Sequence, residues 1–448
     1  MASKNFMHLG LDVIQKAKKL GAENAEVFIL SARDLNIQVA NQEIDNIKLA
    51  EERGLGIRVL QNSRMGFAYT SDLDVTAIDK VINQALANST KTAEDEFLTL
   101  ADKYNNYPPL DLYDPQIAKV TVDEKINLAK EIEVSAKKHD PRIKITERAA
   151  YEDSQYEIWI LNSSGLEAYY QGAYCGGYAL VVGEEQGDNQ AGFGMQYNLK
   201  YNNLNPHRIG KEAAERAVRL LGAKSIKSQK APLVLEPYIA TNFLGIISPA
   251  LSAESVDKGK SFLAKKVGQK VASDFVTLID DGAMEERVLS APFDGEGVPT
   301  SKTILIEKGI LQGYLHNTYT AKKFGVKSTG NGVRGSYRST PEVGTTNFYL
   351  APGNCTPQEL IKEMDKGFYV TDVMGMHTAN PISGDFSLGA SGLWIEKGEF
   401  TVPIRGIAIA GNLKEILVNI DKVANDLTFF VGKGAPTIRI NNISISGS

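Results

Sequence analysis

The chain has 448 residues, 43% hydrophobic and 23% charged, with a formal net charge of -5. That length exceeds one ordinary core and predicts two or three globular domains. The acidic balance and the lack of any Lys/Arg block argue against a nucleic-acid partner, which needs a concentrated basic surface. The two cysteines, Cys175 and Cys355, lie far apart and form no C-x-x-C pair, which fits a reducing compartment better than a disulfide scaffold. Charges interrupt every apolar run of the N-terminal helix, so it does not read as a signal peptide. No stretch approaches the roughly 20 apolar residues of a membrane span. The expectation is a cytoplasmic protein without membrane contact.

A first unit, 1–105, opens with a helix carrying Met7, Leu11 and Ile14 on one face. A strand at 25–31 follows, then Leu35, Ile37 and Val39 alternate with polar residues as in a half-buried strand. Leu55, Ile57 and Val59 repeat that pattern, and residues 61–64 turn into a short strand at 65–70. Ile78, Val81, Ile82 and Ala85 form the stripe of a second helix. The proline-rich stretch 105–116 reads as a linker. A second unit, 117–225, starts with a helix whose Thr121 and Glu124 form a capping box. Strands at 156–162 and 166–171 flank Ser163-Ser164-Gly165, a hairpin signal. Asn205, Pro206 and Gly222 bracket the closing helix. A third unit, 230–448, is richer in glycine and short strands. Ile-Glu-Lys-Gly occurs at 306–309 and 395–398, read as reuse of one good turn. Thr356 and Asn412 cap two short helices, the second with a stripe of Leu413, Ile416, Leu417, Ile420 and Val423. The fold class expected is α+β: N-terminal α/β meander domains followed by a strand-rich, glycine-rich C-terminal domain.

Chemistry is harder to find. Zinc needs three or four His, Cys or carboxylate ligands. No two of His8, His139, His207, His316 and His377 are close in sequence, and the first three read as surface residues. A metal site would have to be assembled from distant groups such as His316, His377 and Cys355. No G-x-S-x-G elbow is present, and Cys175, among strand residues, reads as a buried structural thiol. Gly330-Asn331-Gly332-Val333-Arg334-Gly335 matches G-x-G-x-x-G, but loop-like residues follow it where a nucleotide fingerprint opens a helix. Asp280, Asp281, Glu285, Glu286, Asp294 and Glu296 read as charged turns, with acid/base work by the Asp294 and Glu296 carboxylates as the alternative. Binding residues collect in loops, which singles out Glu296, Asn331, Arg334 and His377 as substrate or interface residues. No catalytic or metal-binding residue is assigned.

Several segments carry a resemblance. They are Gly54-Leu55-Gly56-Ile57-Arg58-Val59 with Gly66-Phe67-Ala68, and Pro292-Phe293-Asp294-Gly295-Glu296-Gly297-Val298-Pro299-Thr300. The strand pair 302–314 and the loop 328–332 continue them, followed by Ser383-Gly384-Asp385-Phe386-Ser387, Gly389-Ala390-Ser391-Gly392 and Ile409-Ala410-Gly411-Asn412-Leu413. Together they resemble the TldD/PmbA family, closer to its PmbA (TldE) branch, over nearly the whole chain. The resemblance implies a metalloprotease family whose TldD-type members carry H-E-x-x-x-H on a helix and a distant cysteine ligand. The matching stretch here is 249–258, without histidine, and the loop 383–392 has no cysteine. The resemblance therefore implies a metal-free, non-catalytic subunit. Its partner would be a zinc-bearing TldD-type subunit in a heterodimer, or a second copy in a homodimer, and its substrate an unfolded peptide. An independent hydrolase and a non-enzymatic, gyrase-modulator type of binding protein are the alternatives.

Overall fold

Alternating apolar residues from Asn24 to Ala40 build one long strand where the sequence suggested two. In the computed structural model, which describes residues 2–447, the chain begins α1 (Ala2–Lys19), β1 (Asn24–Ala40), β2 (Glu43–Gln61), β3 (Arg64–Thr70) and α2 (Val75–Ser89). After a long connection and the short α3 (Pro115–Lys119), the same order returns as α4 (Val122–His139), β4 (Ile143–Asn162), β5 (Glu167–Glu185), β6 (Asp188–Asn198) and α5 (Pro206–Val218). The six strands make one antiparallel sheet in the order β3-β2-β1-β4-β5-β6. β1 and β4 pair along its centre, from Glu26 opposite Asn162 to Val39 opposite Ala149. The first two sequence units thus share a sheet as two copies of a helix, three-strand, helix motif.

The period-2 pattern divides the sheet's faces. Val27 and Ile29 pack with Leu55, Ile57 and Val59 under α1 and α2. Leu35, Ile37 and Val39, on the same face, pack under α4 and α5. The opposite face carries Phe28 and Ile160, which close on Phe293 and Tyr337 of the C-terminal region. Thr121 and Glu124 form the expected capping box. The predicted linker ends in α3, whose cap Asp114 accepts from Gln116 N.

Five strands of the C-terminal region close into a barrel. Glu399–Asn412, Asp385–Glu396, Lys366–Met374, Gln229–Leu235 and Ile438–Ser446 follow in that order, and the last pairs back onto the first. A second six-stranded sheet, built on Leu278–Asp281, Lys302–Glu307 and Phe348–Leu350, lies beside it. The helix Pro237–Ile247 contributes Ile239, Phe243, Leu244 and Ile247 to the common core. Both Ile-Glu-Lys-Gly segments make the same turn: Lys308 and Gly309 have φ of 45° and 79°, Lys397 and Gly398 have 51° and 77°. One turn lies in the second sheet and the other in the barrel. The stripe proposed for the last helix is shorter than expected. That helix ends at Asn419, and Ile420 and Val423 belong to a strand.

Gly54 and Gly56 sit where the sheet meets Tyr337. A Cβ on Gly54 would lie 2.2 Å from the Tyr337 ring, and one on Gly56 would lie 2.2 Å from its carbonyl oxygen. Gly54→Ala should therefore lower stability by about 2 kcal/mol or more through overpacking. Gly313→Ala, with open space around it, should shift the denaturant midpoint little.

Candidate functional site

Two places carry the chemistry: a buried seam of charges between the sheet and the C-terminal region, and a cleft on the C-terminal region.

The seam starts from two buried charged residues on neighbouring strands. Glu26 on β1 and Arg58 on β2 face one another across their strand register. Arg58 Nη2 donates to Glu26 Oε2 at 2.7 Å and to Glu296 Oε1 at 3.2 Å. Arg334 donates to the other Glu26 oxygen and stacks over the Phe28 ring at 4.8 Å. Thr318 gives its backbone N–H to Glu296 Oε2 at 2.8 Å and its hydroxyl to Oε1. Asp294 Oδ1 accepts from Glu296 N and Val298 N, and Oδ2 from Gly332 N at 2.8 Å. Burial alone would raise Glu26, yet the charges of Arg58 and Arg334 hold it below its usual range. Burial pulls Arg334 down, and the like charge of Arg58 adds to this against the attraction of Glu26. Burial, then the Glu296 charge, raises Asp294 to about 8. With Asp294 protonated, two arginines balance two glutamates.

The reading of the acidic segments as solvated turns is corrected here: Asp280, Asp294 and Glu296 are all buried. Each is satisfied from within the chain, which is what a buried carboxylate requires. Asp280 accepts from Asn331 Nδ2 at 2.6 Å and from Thr346 N and Oγ1 at 2.8 Å. Burial raises its pKa against those bonds. Of the residues singled out from sequence, Glu296 and Arg334 meet in the seam. Asn331 is buried next to it, and His377 lies apart on an exposed turn at Met376–Thr378. Cys175 is fully buried, and desolvation, with Asp153 nearby, pushes its thiol up to about 12. Sequence reasoning missed Glu26 and Arg58; the available signal was a charge on the strand face opposite the aliphatic one.

The cleft, of about 390 Å³, lies between residues 248–260 and the segment 343–345. Its floor includes the short helix Ala253–Asp257, held to the next segment where Ala253 N donates to Leu315 O at 3.0 Å. The carboxylates of that helix are already engaged. Glu254 is paired with Lys258 and accepts from Val343 N at 3.5 Å. Asp257 accepts from Lys323 Nζ at 2.7 Å. Among the described residues no three His, Cys, Asp or Glu side chains gather as a metal-binding group, so His316, His377 and Cys355 do not converge. A bound divalent cation here would meet ammonium groups and no imidazole, and this donor set does not fit zinc.

Three family models match in sequence along the chain: PmbA/TldA metallopeptidase domain 1 over 25–89, the central domain over 115–221 and the C-terminal domain over 228–447. The chain belongs to the PmbA/TldD family. It is 31% identical to metalloprotease PmbA of Escherichia coli O157:H7, covering 91% of this chain and 88% of that one. A metalloprotease TldD homolog of Buchnera aphidicola is 27% identical over 89% of this chain and 87% of its own. Among solved structures, TldE from Thermococcus kodakarensis superposes with a TM-score of 0.90 at 26% identity, covering 98% of this chain and all of that one. A Thermotoga maritima protein described as a proposed modulator of a DNA gyrase gives 0.90 at 32% identity with the same coverage. The PmbA/TldD segments quoted from the sequence acquire physical roles in this light. Gly54, Gly56 and Arg58 form one side of the seam, and Asp294 and Glu296 the other.

Two outcomes test the seam. Glu296→Gln leaves Arg58 short of a buried counter-charge and should cost about 3 kcal/mol in chemical denaturation. Asp294 carries a folded-state pKa of about 8 against an ordinary 3.8. The folded state therefore holds the extra proton, and stability from this group is fullest at low pH and lost as pH rises from about 4 to 8. Asp294→Asn should flatten that fall, measured as unfolding free energy at a series of pH values.

Proposed function

We propose that this chain is the metal-free subunit of a two-chain, cytoplasmic metallopeptidase acting on unstructured peptides, with zinc held by a TldD-type partner. The observation that carries this reading is the state of the stretch 249–258. By the family resemblance it stands where TldD-type chains carry the metal-binding helix, but it holds no histidine and its two carboxylates are held by Lys258 and Lys323. An ammonium group at 2.7 Å from Asp257 opposes a divalent cation at the same oxygens. Among the described residues no helix is long and apolar enough to cross a membrane, which agrees with a cytoplasmic site of action.

The role of such a subunit is to shape the space in which a partner's metal works. An unstructured peptide can be held by hydrogen bonds to its backbone and by pockets for its ends. The carboxylates of Asp294 and Glu296 do not favour an independent hydrolase, because every oxygen of the pair is engaged by donors of this chain.

The purified chain should not cleave a fluorogenic unstructured peptide. A mixture with its TldD-type partner should cleave it and lose activity on chelation. Turnover by the lone chain that survives a chelator would overturn the proposal.

A further inference from the structure

We infer that the cleft between residues 248–260 and 343–345 is a binding site for the free C-terminal carboxylate of a peptide. The inference rests on the peptide-handling function just proposed, and names the ligand group that this subunit takes.

The hydrogen-bonding capacity left open in the cleft is mostly donor. The Glu254 carboxylate is occupied by Lys258 and Val343 N. Lys260 also lines the cleft and is exposed. Among the described residues no carboxylate or other polar group engages its ammonium. Ser252 and Ser255 line the same wall, and no hydrogen bond engages their hydroxyls. Across the cleft, Thr345 makes no hydrogen bond through its backbone N–H or its hydroxyl. The charges lining the cleft are Lys258, Lys260 and Glu254, a net of +1 after the Lys258–Glu254 pair cancels. One unit of positive charge flanked by hydroxyl and N–H donors suits a single carboxylate, for which charge-assisted bonds are the strong ones.

The wall that carries Thr345 is fixed from behind. Gly344 donates its N–H to Asn331 O at 3.0 Å, and its carbonyl accepts from Asn331 Nδ2 at 3.0 Å. Thr346 N is held by Asp280 at 2.8 Å. Thr345 thus stands between two residues anchored to buried groups, so its donors are pre-placed and little ordering cost remains on binding. Pro249, Leu315 and Val343 supply an apolar patch in the same cleft for the side chain next to the carboxylate. That combination of apolar lining and few convergent polar groups is what a ligand site needs.

The test uses the full chain with a chelator present and an N-terminally fluorescein-labelled unstructured peptide, made once as the free acid and once as the C-terminal amide. Binding is read by fluorescence anisotropy, and the peptide is checked by mass spectrometry afterwards. The acid should bind at least tenfold more tightly than the amide. Lys260→Gln, at an exposed position with no fold role, should weaken the acid about tenfold and leave the amide unchanged. Inorganic phosphate should compete with the acid only weakly. Equal affinity for acid and amide, no effect of Lys260→Gln, or displacement by phosphate as effective as by unlabelled peptide acid would each overturn the inference. Cleaved peptide in the mass spectrum would instead overturn the metal-free subunit reading, so the two failures are told apart.

Discussion

A buried pair of opposite charges, Arg58 against Glu296, decides how the two halves of the molecule meet. Each ion lost its hydration on folding, and only a matched partner with further hydrogen bonds offsets that cost. Glu26, Arg334 and Thr318 supply further partners, while among the described residues the buried Nε–H groups of Arg58 and Arg334 have none. An apolar contact between the sheet and the C-terminal region would tolerate sliding. Hydrogen bonds from Arg58 Nη2 to two carboxylates do not, because they fix direction as well as distance. The aromatic contacts around the seam, Phe293 against Tyr170 and Tyr107 at 5.0 and 5.2 Å, then fill a position already set by charge. A second link of the same kind stands at the far end, where Arg219 after α5 grips both oxygens of Glu236 at 2.8 and 2.9 Å.

This arrangement also ties one wall of the cleft to the seam. The segment from Asp294 to Glu296 touches Gly332, the hairpin from Gly332 leads back to Gly344, and Asn331 joins both to Asp280. The same polar network that orients the sheet therefore holds one wall of the cleft. The wall is buried behind and open in front, so donors can be offered to a ligand without any loop having to order itself.

Much of this was legible in the sequence. The capping boxes at Thr121 and Thr356, the cap at Asn205 and the stripe on α2 follow from local chemistry, and local chemistry is what a single sequence displays. The α+β class followed from the alternation of periods. The repeat of helix, three strands and helix was not visible, because its two copies share architecture and not residues. The burial of Asp280, Asp294 and Glu296 was also hidden. A carboxylate in a polar segment looks solvated until its partners arrive from remote parts of the chain, here Arg58 for Glu296 and Asn331 for Asp280. The family segments were readable as a pattern, and the reason for Gly54 and Gly56 became clear only when Tyr337 was seen against them.

The pairing of β1 with β4 at the centre of the sheet constrains the order of assembly. As the chain is made, β1 is complete long before β4 exists, so one edge of β1 must stay unsatisfied until the second motif has emerged. The barrel has the same property: Ile438–Ser446 pairs with both Gln229–Leu235 and Glu399–Asn412, so it cannot close before that strand has been made. Non-local pairings of this kind slow folding and leave strand edges open to wrong partners meanwhile. A nascent chain of this fold is therefore most vulnerable late, and a truncation of its final strand would leave an open barrel in place of a slightly shorter protein.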